Sequence, residues 1–182
     1  MDIKTKEGKM GLSVEMKGAS LSFANAMRRI MMSEIPTDAI EEVEIKENNS
    51  ALQDEILAHR LGLIPLKGIG KLTLKAEGPT TVKSSDLIAD SGVKITNKGL
   101  PIVELLANQK INLSTKTKTG TGKEHIKWKG AIVSYDYKNE DKINFEIESC
   151  SGLTNKEILK KGLEILKDKA GNFSSEVSKY KI

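Results

Sequence analysis

The stretch Ser20–Pro36 reads SLSFANAMRRIMMSEIP and predicts the first helix of the fold. Its large apolar residues recur at positions i, i+4, i+7 and i+8, a spacing that places them on one face of an α-helix. These residues are Phe23, Met27, Ile30 and Met31. A helix seldom continues into the residue before a proline, so Pro36 marks its end. The stretch therefore predicts an amphipathic helix with Arg28 and Arg29 near its middle.

A longer helix is predicted further along the chain, from Thr154 onward. Thr154 and Glu157 form a capping box, in which each side chain satisfies a free backbone N–H group at the start of a helix. Apolar residues then continue at helical spacing over about five turns. They are Leu159, Leu163, Leu166, Ala170, Phe173 and Val177. This stripe covers either the core of the chain itself or a second chain, and the spacing alone leaves both interpretations open.

Alternating apolar and polar residues predict half-buried strands at Lys9–Met16, Ala39–Glu47 and Asn144–Ser149. A short helix ending near Gly62 is predicted between the second and third of these. Its apolar face is predicted to carry four residues at 4-3-4 spacing, namely Leu52, Ile56, His59 and Leu63.

The central part of the chain has a different character. Beyond Pro65, short β-like runs are separated by Gly, Pro, Ser and Asp, which predicts a small, loop-rich and mostly β subdomain. The stretch Ser114–His125 consists largely of Thr, Lys and Gly and is predicted to be a mobile loop leading into a β-run at Ile126–Tyr137. Together these elements predict an α+β fold.

Composition excludes several classes of protein. The 182 residues contain one cysteine, Cys150, and two histidines, so an internal disulfide framework is excluded and a zinc or iron–sulfur site is not expected. No apolar run approaches the roughly 20 residues of a membrane span, and the first residues show no signal-peptide pattern. We therefore expect a cytoplasmic protein that has no contact with membranes.

Charge is distributed unevenly, although the net charge is only +4. The stretch 34–55 holds eight acidic residues against one lysine, a net charge of −7, whereas 66–130 holds twelve lysines against five acidic residues, a net charge of +7. These stretches are either ordinary solvated faces or complementary docking surfaces for protein partners, where charge sets orientation and association rate.

Only three of the 29 basic residues are arginines: Arg28, Arg29 and Arg60. The planar guanidinium group binds carboxylates in a bidentate manner and tolerates burial at interfaces better than a lysine ammonium group. We therefore predict that these three side chains make specific contacts with a partner.

No catalytic motif is found, which argues against an enzyme acting alone. The serines lie in no nucleophile pattern, and His59 and His125 are far apart in the sequence. A free-standing nucleic-acid-binding module that uses the lysine-rich region is the alternative. That region contains Trp128 as its only aromatic residue and no arginine, so it lacks the stacking platform typical of single-strand binders.

Three segments resemble the alpha-like subunits of cellular RNA polymerase, and most closely the archaeal members. The first two are Phe23–Pro36 and Leu52–Leu66, the latter reading LQDEILAHRLGLIPL. The third is Gly122–Trp128, GKEHIKW, which resembles the Gly-Lys-Glu-His-Ala-Lys-Trp stretch of that family. The capped C-terminal helix also fits the family, so the resemblance spans most of the chain.

The resemblance implies a discontinuous dimerisation domain at 1–39 and 143–182, an antiparallel sheet with two amphipathic helices, and an inserted mostly-β domain at 40–142. It implies a non-catalytic subunit that heterodimerises with a smaller alpha-like subunit, called L in archaea. The pair would form a platform for the small zinc-bearing subunits N and P and the large catalytic subunits, and would meet DNA only through the complex. Nucleotidyl transfer belongs to that complex, because this chain supplies none of the aspartate-bound magnesium chemistry.

The resemblance also implies roles for individual residues. Arg28, Arg29 and Arg60 would contact a large subunit or a neighbour. The dimer interface would comprise Phe23, Met27, Ile30, Met31, Leu159, Leu163, Leu166 and Phe173.

One departure from the family pattern concerns a cofactor. Many archaeal members carry a cysteine-ligated iron–sulfur insertion after the Lys-Trp stretch. Here Tyr137–Lys142 leads directly into the strand at Ile143, and Cys150 has no companion cysteine. We therefore expect no iron–sulfur cluster and no other cofactor in this chain.

Overall fold

The computed structural model describes residues 2–8, 11–139 and 142–180. Within these residues the chain forms antiparallel sheets and three α-helices, which confirms the predicted α+β class. The helices are α1 (Leu21–Ser33), α2 (Asp54–Gly62) and α3 (Asn155–Lys179). The strands are β1 (Asp2–Glu7), β2 (Leu12–Lys17), β3 (Thr37–Asn48), β4 (Leu66–Lys67), β5 (Lys71–Glu77), β6 (Thr80–Lys83), β7 (Ile88–Ala89), β8 (Lys94–Ile95), β9 (Pro101–Leu105), β10 (Lys110–Gly120), β11 (Ala131–Asn139) and β12 (Lys142–Ser149).

The chain divides into two compact units. The first comprises Met1–Pro36 and Thr121–Ile182, and the second is the continuous segment Thr37–Gly120. The resemblance implies an insert at 40–142, whereas the described residues from Thr121 to Asn139 belong to the first unit. The reason is local bonding, because the Lys123 and Gly130 N–H groups donate to the carbonyl groups of Ser33 and Met32 at the end of α1 (3.1 and 3.2 Å).

The first unit contains a four-stranded antiparallel sheet in the order β1-β2-β12-β11. Alternate side chains of β2 and β12 are buried in its core, such as Val14 and Phe145. The predicted strand at Lys9–Met16 corresponds to β2, and Lys9 and Met10 lie outside the described residues. Strand β1 was not predicted from the sequence, because every residue of this edge strand is exposed and no alternating apolar face marks it.

Both predicted helices of this unit are present. The Ser20 hydroxyl caps α1 by accepting from the Phe23 N–H group (3.2 Å), and the helix ends at Ser33, before Pro36 as predicted. The Thr154–Glu157 capping box starts α3 as predicted. The two helices pack closely because Gly162 of α3 faces Met27 and Met31 of α1, and an added Cβ atom would lie 2.8 Å from the Met31 Cγ atom.

The second unit has its own hydrophobic core, formed by a six-stranded sheet, a two-stranded β6-β9 ribbon and α2. The order of the large sheet is β7-β5-β10-β3-β4-β8. Residues Thr37 and Gly120, at the two ends of the unit, are paired in the β3–β10 ladder.

The structure corrects the prediction of a mobile loop at Ser114–His125. Residues up to Gly120 belong to β10, which lies between β3 and β5. Its β-branched side chains alternate with lysines, so that Thr115 and Thr117 are buried while Lys116 and Lys118 are exposed. This alternation is the half-buried strand pattern, in which threonine occupies the positions that are usually apolar.

The predicted face of α2 is wrong, although the helix itself is present. Ile56, His59 and Leu63 are exposed, and the buried side chains are instead Leu57 and Leu61. Leu57 and Leu61 are four residues apart, as expected for one helical face, and Leu57 lies one position after Ile56. The sequence therefore contains two apolar stripes, and their spacing alone does not tell which one is buried.

Candidate functional site

The outer half of α3 exposes an apolar stripe. Every residue from Lys167 to Tyr180 is exposed. Three apolar or aromatic side chains lie on one helical face at positions i, i+4 and i+7: Phe173 is 72% exposed, Val177 39% and Tyr180 73%. Aromatic side chains in such numbers on one face are typical of interaction surfaces rather than of ordinary solvated helices.

This stripe continues from the core of the first unit. Leu159, Leu163 and Leu166 are half-buried and pack against that core from the inner half of α3. Phe23 of α1 is half-buried in the same cluster. The apolar face of α3 is therefore covered at its inner end and uncovered at its outer end.

The residues predicted for the dimer interface fall into three groups. Met27, Ile30 and Met31 are buried within this chain, so their side chains are not exposed for contact with a partner. Helical spacing predicts that they share one face, but it does not predict which residues pack against that face. Phe23, Leu159, Leu163 and Leu166 are half-buried, and Phe173 is exposed. Tyr180 was not predicted, although its position seven residues after Phe173 is a signal for the same face.

The three arginines belong to different units of the chain. Arg28 and Arg29 lie together on α1, and Arg60 lies on α2 in the second unit. Arg28 donates to the Asn25 Oδ1 atom (3.3 Å), and Arg60 donates to the backbone carbonyl of Ile102. Arg29 is exposed. Within the described part of the chain, none of these guanidinium groups forms an ion pair with a carboxylate, so their charge is available to a partner.

A partly buried carboxylate joins three segments of the first unit. Glu34, at the end of α1, has a side chain only 16% exposed. Its carboxylate forms ion pairs with Lys123 (3.0 Å) and with Lys169 of α3. Burial raises the pKa of Glu34, but hydrogen bonds from Lys169 and Lys123 outweigh that effect, and its pKa lies below the ordinary value. Glu34 therefore remains ionised between two lysines.

The oppositely charged stretches of the sequence pair with each other in the second unit. Lys116 and Lys118 of β10 form ion pairs with Glu42 and Glu41 of the adjacent strand β3. Within the basic stretch itself, Lys110 forms an ion pair with Glu77 of β5 (3.0 Å). These contacts favour the interpretation of both stretches as solvated faces.

The outer face of the four-stranded sheet forms an open polar cleft. It is lined by side chains of mixed charge, among them Lys4, Lys6, Glu15 and Asp136. No group of three or more His, Cys, Asp or Glu side chains suited to a metal ion occurs in the described ranges. Of the helices that the structure describes, none is long and apolar enough to cross a membrane.

The first unit is therefore an α+β unit in which two helices pack on an antiparallel sheet and the outer half of the second helix is exposed. A family model described as the RNA polymerase Rpb3/Rpb11 dimerisation domain matches residues 13–170. The chain belongs to this family.

Curated relatives support the same assignment. The chain is 44% identical over 166 residues to DNA-directed RNA polymerase subunit Rpo3 of Methanocaldococcus jannaschii, covering 87% of this chain and 86% of that protein. The Rpo3 of Pyrobaculum aerophilum is 35% identical over 90% of this chain and 79% of its own length. The Rpo3 of Pyrococcus furiosus is 44% identical over 67% of this chain, and the match spans only 53% of that longer protein.

Proposed function

We propose that this chain is a non-catalytic assembly subunit of an archaeal DNA-dependent RNA polymerase, the counterpart of the subunit called D. Its role is to heterodimerise with the small alpha-like subunit L through α3 and the adjoining face of α1. The observation that carries this proposal is the exposed stripe of Phe173 and Val177 on the outer half of α3, which Tyr180 extends at the C-terminal cap.

The stripe has the features of a docking surface for a helix of a second chain. Large aromatic side chains supply most of the binding energy at interfaces when a partner removes them from water. The half-buried leucines of the inner half extend the same face toward the core, so a partner helix can pack along the length of α3. The relatives named Rpo3 and the dimerisation family support this function.

The heterodimer would present the remaining surfaces to the other polymerase subunits. Small zinc-bearing subunits N and P and the large catalytic subunits would assemble on it, and DNA would be met only through the complex. Arg28 and Arg29 are our candidates for contact with a large subunit, with Arg60 as a second contact site. We expect no cofactor in this chain and a cytoplasmic location for the complex.

The test is size-exclusion chromatography with light scattering on the full chain, alone and co-expressed with the small alpha-like subunit of the same genome. We expect a 1:1 complex with the wild-type chain. The double substitution Phe173→Ser and Val177→Ser should abolish it, because both lie on the exposed stripe and outside the core. Arg28→Ala with Arg29→Ala is the matched control, which should form the heterodimer but fail to recruit the large subunits.

Three outcomes would contradict this proposal. The first is a wild-type chain that stays monomeric in the presence of the small subunit, and the second is a heterodimer that the stripe substitutions leave intact. The third is unchanged assembly in the arginine variant, which would remove the proposed contact of Arg28 and Arg29 with a large subunit. Tight, steeply salt-dependent DNA binding by the isolated chain would instead favour the nucleic-acid-binding module, since phosphate contacts release counterions.

A further inference from the structure

The outer half of α3 is attached to its unit at one polar contact. Among the described residues, the only hydrogen bond or ion pair that residues 167–180 make outside α3 is the one between Lys169 and Glu34. Apolar packing against the core extends along α3 only to Leu166. Gly171, the next turn outward, has no atom within 4 Å of an added Cβ atom.

Glu34 is itself held firmly in the fold. Its N–H group donates to the Ile30 carbonyl at the end of α1 (2.9 Å). Its carboxylate accepts from a second lysine, Lys123, whose own N–H group donates to the Ser33 carbonyl (3.1 Å). The carboxylate that receives Lys169 is therefore fixed by the end of α1 and by the segment that follows Thr121.

We propose that Glu34 is a positioning residue for partner docking, which through Lys169 sets the direction of the outer half of α3 before a partner binds. This inference rests on the proposed function. Tyr180 lies eleven residues beyond Lys169, or about 16 Å along the helix axis. A small change in the direction of the helix axis at Lys169 therefore displaces the exposed stripe, because the displacement grows with distance along the axis. Ordering the stripe in advance lowers the cost of binding.

The two lysines on Glu34 provide a matched pair of variants. Lys169→Met removes the contact with α3, whereas Lys123→Met removes a cation from the same carboxylate and leaves that contact in place. Glu34→Gln weakens both contacts without altering any residue of α3. Glu34 is largely buried and is not one of the stripe residues, so Glu34→Gln leaves the exposed docking side chains unchanged.

The first measurement is hydrogen–deuterium exchange on the full chain without a partner. In Lys169→Met and Glu34→Gln, amide groups between Gly171 and Ser178 should exchange about threefold faster, the range expected for an ion pair of this kind. In Lys123→Met the increase should be smaller than in either test variant, because Glu34 keeps its ion pair with Lys169. Exchange in β12 reports in the same data whether the fold is intact. Unchanged exchange of α3 in both test variants overturns the proposal.

The second measurement is the affinity of each variant for the small alpha-like subunit. Lys169→Met and Glu34→Gln should each weaken binding about threefold. The double variant should be no weaker than either single variant, because the two residues act as a unit. Additive losses, or wild-type affinity in Glu34→Gln, overturn the positioning role. A wild-type chain that does not bind the small subunit overturns the proposed function instead.

Discussion

Thr115 and Thr117 are neighbours on the buried face of β10 but differ in their hydrogen bonds. The Thr117 hydroxyl accepts from the Gly70 N–H group (2.8 Å) and lies 3.1 Å from the Gly68 carbonyl. The Thr115 hydroxyl is buried and has no hydrogen-bond partner among the described residues. A buried hydroxyl that lacks a partner loses its bonds to water and gains none in return, so it destabilises the fold.

We predict opposite effects for the same substitution at these two positions. Thr115→Val should raise the free energy of unfolding by about 1 kcal/mol, because it replaces an unsatisfied hydroxyl with a methyl group of the same shape. Thr117→Val should lower it by about 1–2 kcal/mol, because it leaves the Gly70 N–H group without its partner. Urea unfolding of both variants measures the difference. Equal effects at the two sites would contradict the assignment.

At the scale of single residues, sequence patterns located helices better than helix faces. Of the two apolar stripes on α2, the sequence analysis chose the one with Ile56 and Leu63, and the structure buries Leu57 and Leu61. The choice depends on how α2 lies on the strands of its unit, which is information that spacing within the helix does not contain. The same limit applies to Met27, Ile30 and Met31. Their common helical face was predicted correctly, but the structure buries these side chains within this chain, whereas the prediction placed them at a dimer interface.

At the scale of elements, α1 and α3 depend on one glycine for their close approach. An Ala at Gly162 would place its Cβ atom 2.8 Å from the Met31 Cγ atom and 3.3 Å from the Met27 Cε atom. Met31 is fully buried, so its side chain has little room to move away. Gly171 of the same helix is exposed and has open space around it.

We predict that Gly162→Ala is less stable than Gly171→Ala by about 1–3 kcal/mol, the cost of overpacking a filled core. Both substitutions gain about 1 kcal/mol of helix propensity, which cancels in the comparison. Gly171→Ala should also increase the helical signal in far-ultraviolet circular dichroism. Thermal unfolding of the two variants provides the test, and equal stability would mean that the helices are not in close contact at Gly162.

Local signals predicted some elements and failed for others. The Thr154–Glu157 capping box and the regular apolar spacing of α1 act within a few residues, and both helices were predicted. The part of β10 from Ser114 onward was predicted to be a loop because its composition of Thr, Lys and Gly indicates little burial. Its order comes from β3 and β5 on either side, which are distant in sequence.

At the scale of the whole molecule, the second unit is continuous and closes on itself. Its first and last residues, Thr37 and Gly120, are opposite each other in one ladder, and its core is separate from that of the first unit. The resemblance predicted such an insert but placed its far boundary about twenty residues too late. The sequence of the Gly122–Trp128 motif does not indicate which unit it belongs to. Its backbone hydrogen bond to the end of α1, from the Lys123 N–H group to the Ser33 carbonyl, assigns it to the first unit.

We predict that each unit folds without the other. Replacing Thr37–Gly120 by a short Gly-Ser linker should leave the first unit folded, because the two ends to be joined are adjacent. The segment Thr37–Gly120 alone should unfold cooperatively in urea, since it retains its own core. Dispersed amide resonances of each fragment, matching those of the full chain, are the measurement. A fragment with collapsed, undispersed resonances would show that the units depend on each other.

Strand β1 lies at the edge of the four-stranded sheet, and its charged residues affect how the chain behaves in solution. An edge strand with free backbone groups is a template for aggregation, and dense charge is a common safeguard. Four of the six residues of β1 are charged, and they are Asp2, Lys4, Lys6 and Glu7. If two copies paired antiparallel along this edge, Asp2 would face Glu7 and the like charges would repel. The charged edge of β1 thus protects the sheet of the first unit from pairing with strands of other chains.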